Sequence, residues 1–292
     1  MTAARPCIFG EVLFDHFPDG VRVLGGAPFN VAWHLQAFGQ APHFVSRVGA
    51  DTEGDQVRRA MRDWGMDISG LQTDPELPTG RVVVEFSDGE PHYDIVEPCA
   101  YDAIQPAPAA DFNLLYHGSL ALRGGVSRHA VAELKAHGAE IVFVDVNLRP
   151  PWWNASHLHE MLKDADWVKL NTDELALLQP DIQGSDAAER FLEIHDLHGL
   201  VLTHGADGAE ILTKEGARFS ARPEPTTRVV DTVGAGDAFT SVTILGMLNG
   251  WPLDLTLQRA QQFASAIVGL RGATVAERGF YAPYLDLWKT VN

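Results

Sequence analysis

Two hydrophobic rhythms follow one another along the chain. Cys7 to Phe14 is apolar and reads as one strand, running into the turn-rich Asp15-His16-Phe17-Pro18-Asp19-Gly20. Val21 to Leu24 alternates like a short exposed strand, because successive side chains on a strand face opposite ways. Phe29 to Phe38 places Val31, Leu35 and Phe38 at helical spacing and stops at Gly39. His43 to Val48 reads as a buried strand. Asp55 to Trp64 reads as a helix with Val57, Ala60, Met61 and Trp64 on one face. Arg81 to Phe86 and Tyr93 to Val96 flank Ser87-Asp88-Gly89-Glu90-Pro91, and Asp-Gly between two strand-like runs is a strong hairpin signal. This hairpin and Val21 to Leu24 are expected to form a small sheet apart from the main one, a lid with strands at about 18–25 and 80–97.

After Pro108 the rhythm becomes strand, then helix. Leu114 to His117, Ile141 to Val144, Trp167 to Leu170 and Leu200 to Thr203 are short apolar strands. Helices fit Ser127 to His137, Ala155 to Asp164, Thr172 to Leu178 and Asp186 to His195. Two more, about Gly236 to Asn249 and Leu253 to Leu270, are expected to close the chain, with Asn249-Gly250-Trp251-Pro252 as stop and restart. Strands alternating with helices predict an α/β fold whose mostly parallel sheet is covered on both faces. Pro106-Ala107-Pro108-Ala109-Ala110 is a short connector, and no repeat is evident, so residues 1–292 are read as one domain.

Composition narrows the function. Hydrophobic residues make up 46% of the 292, enough for a full core. The 39 acids against 22 bases give a net charge of −17, which argues against nucleic acid and disfavours an anionic membrane surface. Cys7 and Cys99 are the two cysteines, with no C-x-x-C spacing, and a reduced cytoplasmic setting is expected. Met1 to Pro6 carries one Arg and no long apolar run, unlike a signal peptide. No stretch of about 18 apolar residues predicts a membrane span.

The stretch around Gly234 carries the chemistry. Gly234 and Gly236 stand just before an apolar, helix-compatible run, Ala238 to Leu248. A helix starting at Gly236 or Asp237 aims free N–H groups and its positive dipole end into the turn, which makes an anion site. A carboxylate there, Asp237, does not help to bind phosphate. It suits a base that takes the proton from a hydroxyl attacking phosphorus. Gly234, Ala235 and Gly236 with Asp237 therefore read as anion hole plus base. A tight loop followed by an N-cap fits the same four residues.

The longer string Asp231-Thr232-Val233-Gly234-Ala235-Gly236-Asp237-Ala238-Phe239 resembles the C-terminal signature of the ribokinase-like carbohydrate kinases. That family includes fructokinases, adenosine kinases and 2-keto-3-deoxygluconate kinases. The resemblance runs from Ile8 to about Ala273 and implies a ribokinase-like three-layer α/β/α core with a small β-sheet lid. It implies an ATP-dependent kinase with magnesium, in which Asp237 is the catalytic base.

Other segments gain meaning beside it. The Asp15 carboxylate could accept two neighbouring hydroxyls or simply close a turn; it resembles the family's sugar-contacting Asp after the first strand. Gly25-Gly26-Ala27-Pro28-Phe29-Asn30 resembles the N-terminal signature in its fructokinase form, with Gly26 and Asn30 as sugar contacts. Gly49, Asp51 and Gly54 also match a family pattern but read as structural turns. Asp145-Val146-Asn147-Leu148-Arg149 resembles a fructokinase-like segment, and Arg149 could hold a phosphate or orient a carboxylate. The following Trp152 and Trp153 read as packing.

Asn171-Thr172-Asp173-Glu174 resembles the N-x-x-E motif that places magnesium through water, and equally fits a helix capping box. Thr203, Gly205 and Gly208 resemble a nucleotide-contacting T-x-G-x-x-G turn. Asp231 and Val233 resemble residues whose backbone holds a monovalent cation, so potassium joins the expected cofactors, with Arg271-Gly272-Ala273 as a late contributor. Asp15, Asp145, Asn171 and Thr203 all fall at or past strand ends, which suits one shared cleft.

Fructose is the first substrate expected; a keto-deoxy sugar acid or a nucleoside comes next. Ribose fits poorly, because Ala27-Pro28 replaces the Lys-Gly of the ribokinase branch and Ser119 stands near the place of a sugar-contacting Glu. A dinucleotide oxidoreductase is disfavoured, since the first strand runs into Phe14-Asp15-His16 and not into G-x-G-x-x-G. A non-catalytic sugar-binding regulator is disfavoured by the intact Glu174, Gly236 and Asp237. Metal at His157 and His159, or at His195 and His198, reads as solvated helix faces instead. Exposed lid edges could pair in a homodimer.

Overall fold

The computed structural model describes residues 5–87, 90–106, 111–182, 186–223 and 229–289. The strands among the described residues are β1 (Arg5–Phe9), β2 (Leu13–His16), β3 (Arg22–Gly25), β4 (His43–Gly49), β5 (Leu71–Asp74), β6 (Gly80–Ser87), β7 (Glu90–Ile95), β8 (Phe112–His117), β9 (Ile141–Asp145), β10 (Trp167–Asn171), β11 (Gly199–Thr203), β12 (Ala209–Thr213) and β13 (Arg218–Ala221). The helices are α1 (Ala27–Ala37), α2 (Thr52–Trp64), α3 (Gly125–Ala136), α4 (Ala155–Leu162), α5 (Thr172–Leu178), α6 (Ala187–Ile194), α7 (Ala235–Leu248), α8 (Leu253–Val268) and α9 (Arg278–Trp288).

Nine strands form the main sheet in the order β13-β12-β11-β10-β9-β8-β1-β4-β5. From β5 to β11 every pairing is parallel, while β12 and β13 add an antiparallel edge. Side chains alternate across this sheet, and the two faces feed two cores. Ile8, Phe44, Tyr116, Phe143 and Val201 pack towards α1, α2, α7, α8 and α9. Cys7, Phe9, Val45, Leu115, Val142 and Leu200 pack towards α3, α4, α5 and α6. The α/β/α layering expected from the alternating rhythm is present.

Four departures from the sequence reading matter. The apolar run Cys7 to Phe14 is two strands, because the chain leaves the main sheet at Gly10 and enters a second sheet at Leu13. Gly10 makes that crossing at φ 148°, where a Cβ would stand 2.4 Å from the Pro28 ring. Asp15 therefore lies inside β2 of the small sheet, not after a main-sheet strand. The chain closes with a third helix, α9, whose Tyr281 and Trp288 are buried. β5 and the β12–β13 edge are further elements the periodicity does not signal.

The small sheet has the order β3-β2-β6-β7, with β2 and β6 parallel and the other pairs antiparallel. Its first two strands are Leu13–His16 and Arg22–Gly25, which replaces the single lid strand expected at 18–25. The Asp88-Gly89 turn and most of the 106–110 connector lie outside the described residues. Asp51 caps α2, its carboxylate accepting from Gly54 N at 2.7 Å and Thr79 N at 2.8 Å, the structural role read from the sequence. Among the described residues no helix is long and apolar enough to cross a membrane.

Candidate active site

The strand order reverses between β1 and β8. From β1 the chain builds one way through β4 and β5, then returns to build the other way from β8 to β11. Such a switch point opens a crevice at the carboxyl ends of the strands. β8, β9, β10 and β11 end there in His117, Asp145, Asn171 and Thr203, and Asn171 pairs in register with Thr203.

The N-terminus of α7 faces this crevice. Gly234 caps the helix at φ 79°, and a Cβ on it would stand 2.3 Å from the Ala273 Cβ and 2.4 Å from its Cα. No residue with a side chain fits both the left-handed turn and that contact. The first helical hydrogen bond is Ala238 N to the Gly234 carbonyl. Ala235 N turns back to the Thr232 carbonyl at 3.3 Å, so the amide expected at Ala235 is already engaged. The N–H groups of Gly236 and Asp237 have no acceptor among the described residues, as the geometry of a first turn requires. Of the three amides expected to form the anion hole, those of Gly234 and Gly236 thus keep no acceptor among the described residues, and the Asp237 amide joins them.

Asp237 stands at the same mouth. Its Oδ2 accepts from Asn30 Nδ2 at 2.8 Å. Burial pushes its pKa up to about 6; the Asn30 hydrogen bond, Lys169 and Arg149 oppose the rise and Asp145 adds to it.

Asn30 also reaches the other side of the cleft. The point where a Cβ on Gly25 would stand lies 3.8 Å from Asp15 Oδ2 and 4.0 Å from Asn30 Oδ1. Asn30 Oδ1 is buried with no partner, which leaves an acceptor aimed at this space. Burial lifts Asp15 to about 6, against His16 and Arg149. Gly26 caps α1 at φ 109°, where a Cβ would stand 2.8 Å from the Glu11 carbonyl oxygen. Arg149 is exposed, donates to the Leu148 carbonyl at 3.4 Å, and pulls down the pKa values of Asp15, Asp237 and Glu11 by its charge.

Two groups escaped the sequence reading. Lys169, in the middle of β10, is buried and its Nζ pairs with Asp145 Oδ2 at 2.8 Å. The same Nζ lies 3.8 Å from where a Cβ on Gly236 would stand, directly behind the α7 turn. Thr240 Oγ1 is 2.9 Å from Asp145 Oδ2 and 2.9 Å from the Gly236 carbonyl, which ties the pair to the first turn of α7. Asp145 Oδ1 is buried and unpartnered. The signal available was a lone lysine between Val168 and Leu170 in a central strand. The second group is Glu11, at the β1–β2 crossing, 3% exposed and pushed up to about 7 by burial.

The capping box at Asn171 and Glu174 is formed in full. Asn171 Oδ1 accepts from Glu174 N and Glu174 Oε2 from Asn171 N, both at 2.8 Å, while Glu174 Oε1 accepts from Leu148 N at 2.7 Å. Burial raises the Glu174 pKa. Thr203 ends β11 beside Asn171, and Gly205 and Gly208 shape the turn into β12. Asp231 ties two strands of loop together: Oδ1 accepts from Val233 N at 3.0 Å and Oδ2 from Gly272 N at 3.1 Å. Val233 itself is exposed.

Residues 9–278 match the pfkB family carbohydrate kinase. The fold and this match define a phosphotransferase that acts on an alcohol group. The chain belongs to the pfkB family of carbohydrate kinases. It is 28% identical over 292 aligned residues to the aminoimidazole riboside kinase of Salmonella typhimurium, covering 92% of this chain and 90% of that one. It is 30% identical over 304 aligned residues to a fructokinase of Klebsiella pneumoniae, covering 96% of each. Its fold is that of the solved aminoimidazole riboside kinase from Salmonella enterica in complex with aminoimidazole riboside and an ATP analog. That likeness has a TM-score of 0.83 at 24% identity over 96% of this chain and 99% of that one.

Proposed function

We propose that this sugar kinase moves the γ-phosphoryl group of ATP to a hydroxyl of fructose. The observation that carries the reading is the Asn30–Asp237 hydrogen bond, which joins the Asp15 pocket to the free amides of α7 within one cleft. Asp15 and Asn30 offer oxygen acceptors to sugar hydroxyls. Asp237 takes the proton of the attacking hydroxyl, and the Asn30 amide holds the carboxylate in line for it. The N–H groups of Gly236 and Asp237, with the turn at Gly234 and the Lys169 charge behind it, stabilise the negative charge on the transferring group. The small sheet carries Asp15 on β2, so a sugar bound there would draw the sheet over the cleft and keep water out.

The nucleotide and its ions are assigned from the donor chemistry present. Both oxygens of Glu174 accept backbone N–H bonds, each keeping a second lone pair, which suits contact with magnesium through water and not direct ligation. Magnesium bound with the nucleotide would neutralise phosphate charge there, held by Glu174 and Asn171. Asp231 has amide donors and no ion pair with a described Lys or Arg, which fits a potassium ion beside the carbonyls of Asp231 and Val233. Thr203, Gly205 and Gly208 are assigned to the nucleotide. Fructose is preferred because Gly25-Gly26-Ala27-Pro28-Phe29-Asn30 has the fructokinase form and a fructokinase is 30% identical. The relative that acts on aminoimidazole riboside keeps a riboside as the second reading.

The test is ADP release, coupled to a chromogenic reaction, over fructose, other hexoses, 2-keto-3-deoxygluconate and ribosides with ATP and magnesium. Fructose is expected to give the highest kcat/KM. A riboside ahead of fructose would replace the substrate; silence across the panel would remove the reading.

A further inference from the structure

Helix α1 touches the phosphoryl-transfer region twice, one helical turn apart. Asn30 meets Asp237 directly. His34 lies four residues on, hence on the same side of the helix. It is fully buried, with Nε2 at 3.0 Å from the Ala273 carbonyl oxygen and Nδ1 at 2.9 Å from the Tyr281 hydroxyl. A carbonyl can only accept, so Nε2 bears the proton and Nδ1 accepts from Tyr281. Burial keeps the ring neutral, its pKa pushed down to about 4.

The residue gripped by His34 is the one packed against Gly234. The same loop is held from its other side, where Gly272 N donates to Asp231 Oδ2 at 3.1 Å. Two residues further on, the Val275 carbonyl accepts from Trp33 Nε1 at 2.9 Å and faces the Tyr281 hydroxyl at 3.2 Å. The loop behind the α7 turn is thus fastened to α1 by two consecutive side chains, Trp33 and His34.

We propose that His34 is a positioning residue for the phosphoryl cradle. Through the Ala273 carbonyl it fixes the loop against which Gly234 turns, and so sets where the Gly236 and Asp237 amides point. α1 then acts as one strut: Gly26 and Asn30 bear on the sugar side, and His34, eight residues from the Gly26 cap, bears on the anion side. The proposal rests on reading the Gly234–Asp237 turn as the place of phosphoryl transfer.

The experiment compares wild type with His34→Phe, His34→Gln and Tyr281→Phe on the sugar that the wild type phosphorylates best. Phe fills the space without a donor. Gln keeps an N–H for the Ala273 carbonyl, and Tyr281→Phe keeps the imidazole and its bond to Ala273 but removes the hydroxyl that holds Nδ1. Small misplacements of catalytic groups cost large factors in rate. His34→Phe is expected to lower kcat at least about tenfold while the sugar KM stays within about twofold. His34→Gln should recover most of that loss, and Tyr281→Phe should fall by about threefold. Equal loss in His34→Phe and His34→Gln, or a loss carried by KM and not kcat, overturns the proposal. If His34→Phe does not fold, Tyr281→Phe decides: lowered kcat supports the proposal and unchanged kcat overturns it. A wild type inactive on every sugar overturns the kinase reading and this inference with it, whereas an active wild type with unchanged His34→Phe turnover overturns this inference alone.

Discussion

Asn30 and Asp237, 207 positions apart, are joined by a 2.8 Å hydrogen bond between an amide N–H and a carboxylate. The bond favours the ionised acid, since the donor has more to gain from a charged acceptor. Asn30→Ala should therefore move the acid limb of the pH–rate profile to higher pH. It should also lower kcat/KM by about 10–100-fold, because the base loses its orientation together with a sugar contact. A profile with an unmoved acid limb would separate the two residues.

Asp237 and Asp15 both sit at about 6, above the ordinary 3.8, chiefly through burial. In the proposed reaction each acts in its ionised form, so kcat/KM is expected to fall steeply below about pH 6 in a measured profile. Stability has the opposite sign. A carboxyl whose folded pKa is raised contributes most when protonated, and that contribution disappears as pH rises from 3.8 through about 6. Asp237→Asn should accordingly raise the thermal midpoint at pH 8 and leave it unchanged at pH 4, read by calorimetry.

Lys169 and Asp145 form a buried pair, with side chains 9% and 2% exposed. Removing one partner strands the other. Lys169→Met is predicted to destabilise the protein by about 3–5 kcal/mol, and Lys169→Met with Asp145→Asn by clearly less. Denaturant titration of the two singles and the double gives the coupling. Turnover should be lost in both variants that lack Lys169, because the charge behind the α7 turn is gone.

The two glycines of the turn should fail differently. At Gly234 a Cβ meets Ala273 at 2.3 Å and φ is 79°, so Gly234→Ala is expected to cost about 2–3 kcal/mol of stability as well as activity. At Gly236 the nearest atom to a Cβ is Lys169 Nζ at 3.8 Å, so Gly236→Ala should fold normally and lose turnover alone. Melting curves beside kcat values distinguish them.

Much of this was legible along the chain. The strand–helix rhythm after Pro108 appears as β8 to β11 with α3 to α6, within a residue or two at most ends. Asp237, Gly234, Asn30 and Asp15 could be named as candidates from local motifs and the resemblance those carry, because turns and caps are local matters, and the structure brings Asn30 within 2.8 Å of Asp237. What stayed hidden depends on distant packing. The change of sheet falls at Gly10-Glu11-Val12, where Gly10 and the charged Glu11 interrupt the apolar run, but Glu11 is buried with its neighbours, so the interruption does not mark a surface turn. β5, Leu71-Gln72-Thr73-Asp74, has three polar residues in four, and both it and β13, Arg218-Phe219-Ser220-Ala221, are four residues long, too short to establish a period. Lys169 read as an ordinary strand residue because its partner Asp145 lies on the neighbouring strand.

The most direct measurement sets Asp237→Asn beside wild type, with ADP release followed over the sugar panel and sugar binding followed by titration calorimetry. A positioned base contributes a factor of roughly 10²–10⁴, so turnover should fall by at least about a hundredfold while sugar affinity changes by less than about threefold. Near-normal turnover in the Asn variant would contradict the assignment of Asp237 as the group that takes the hydroxyl proton.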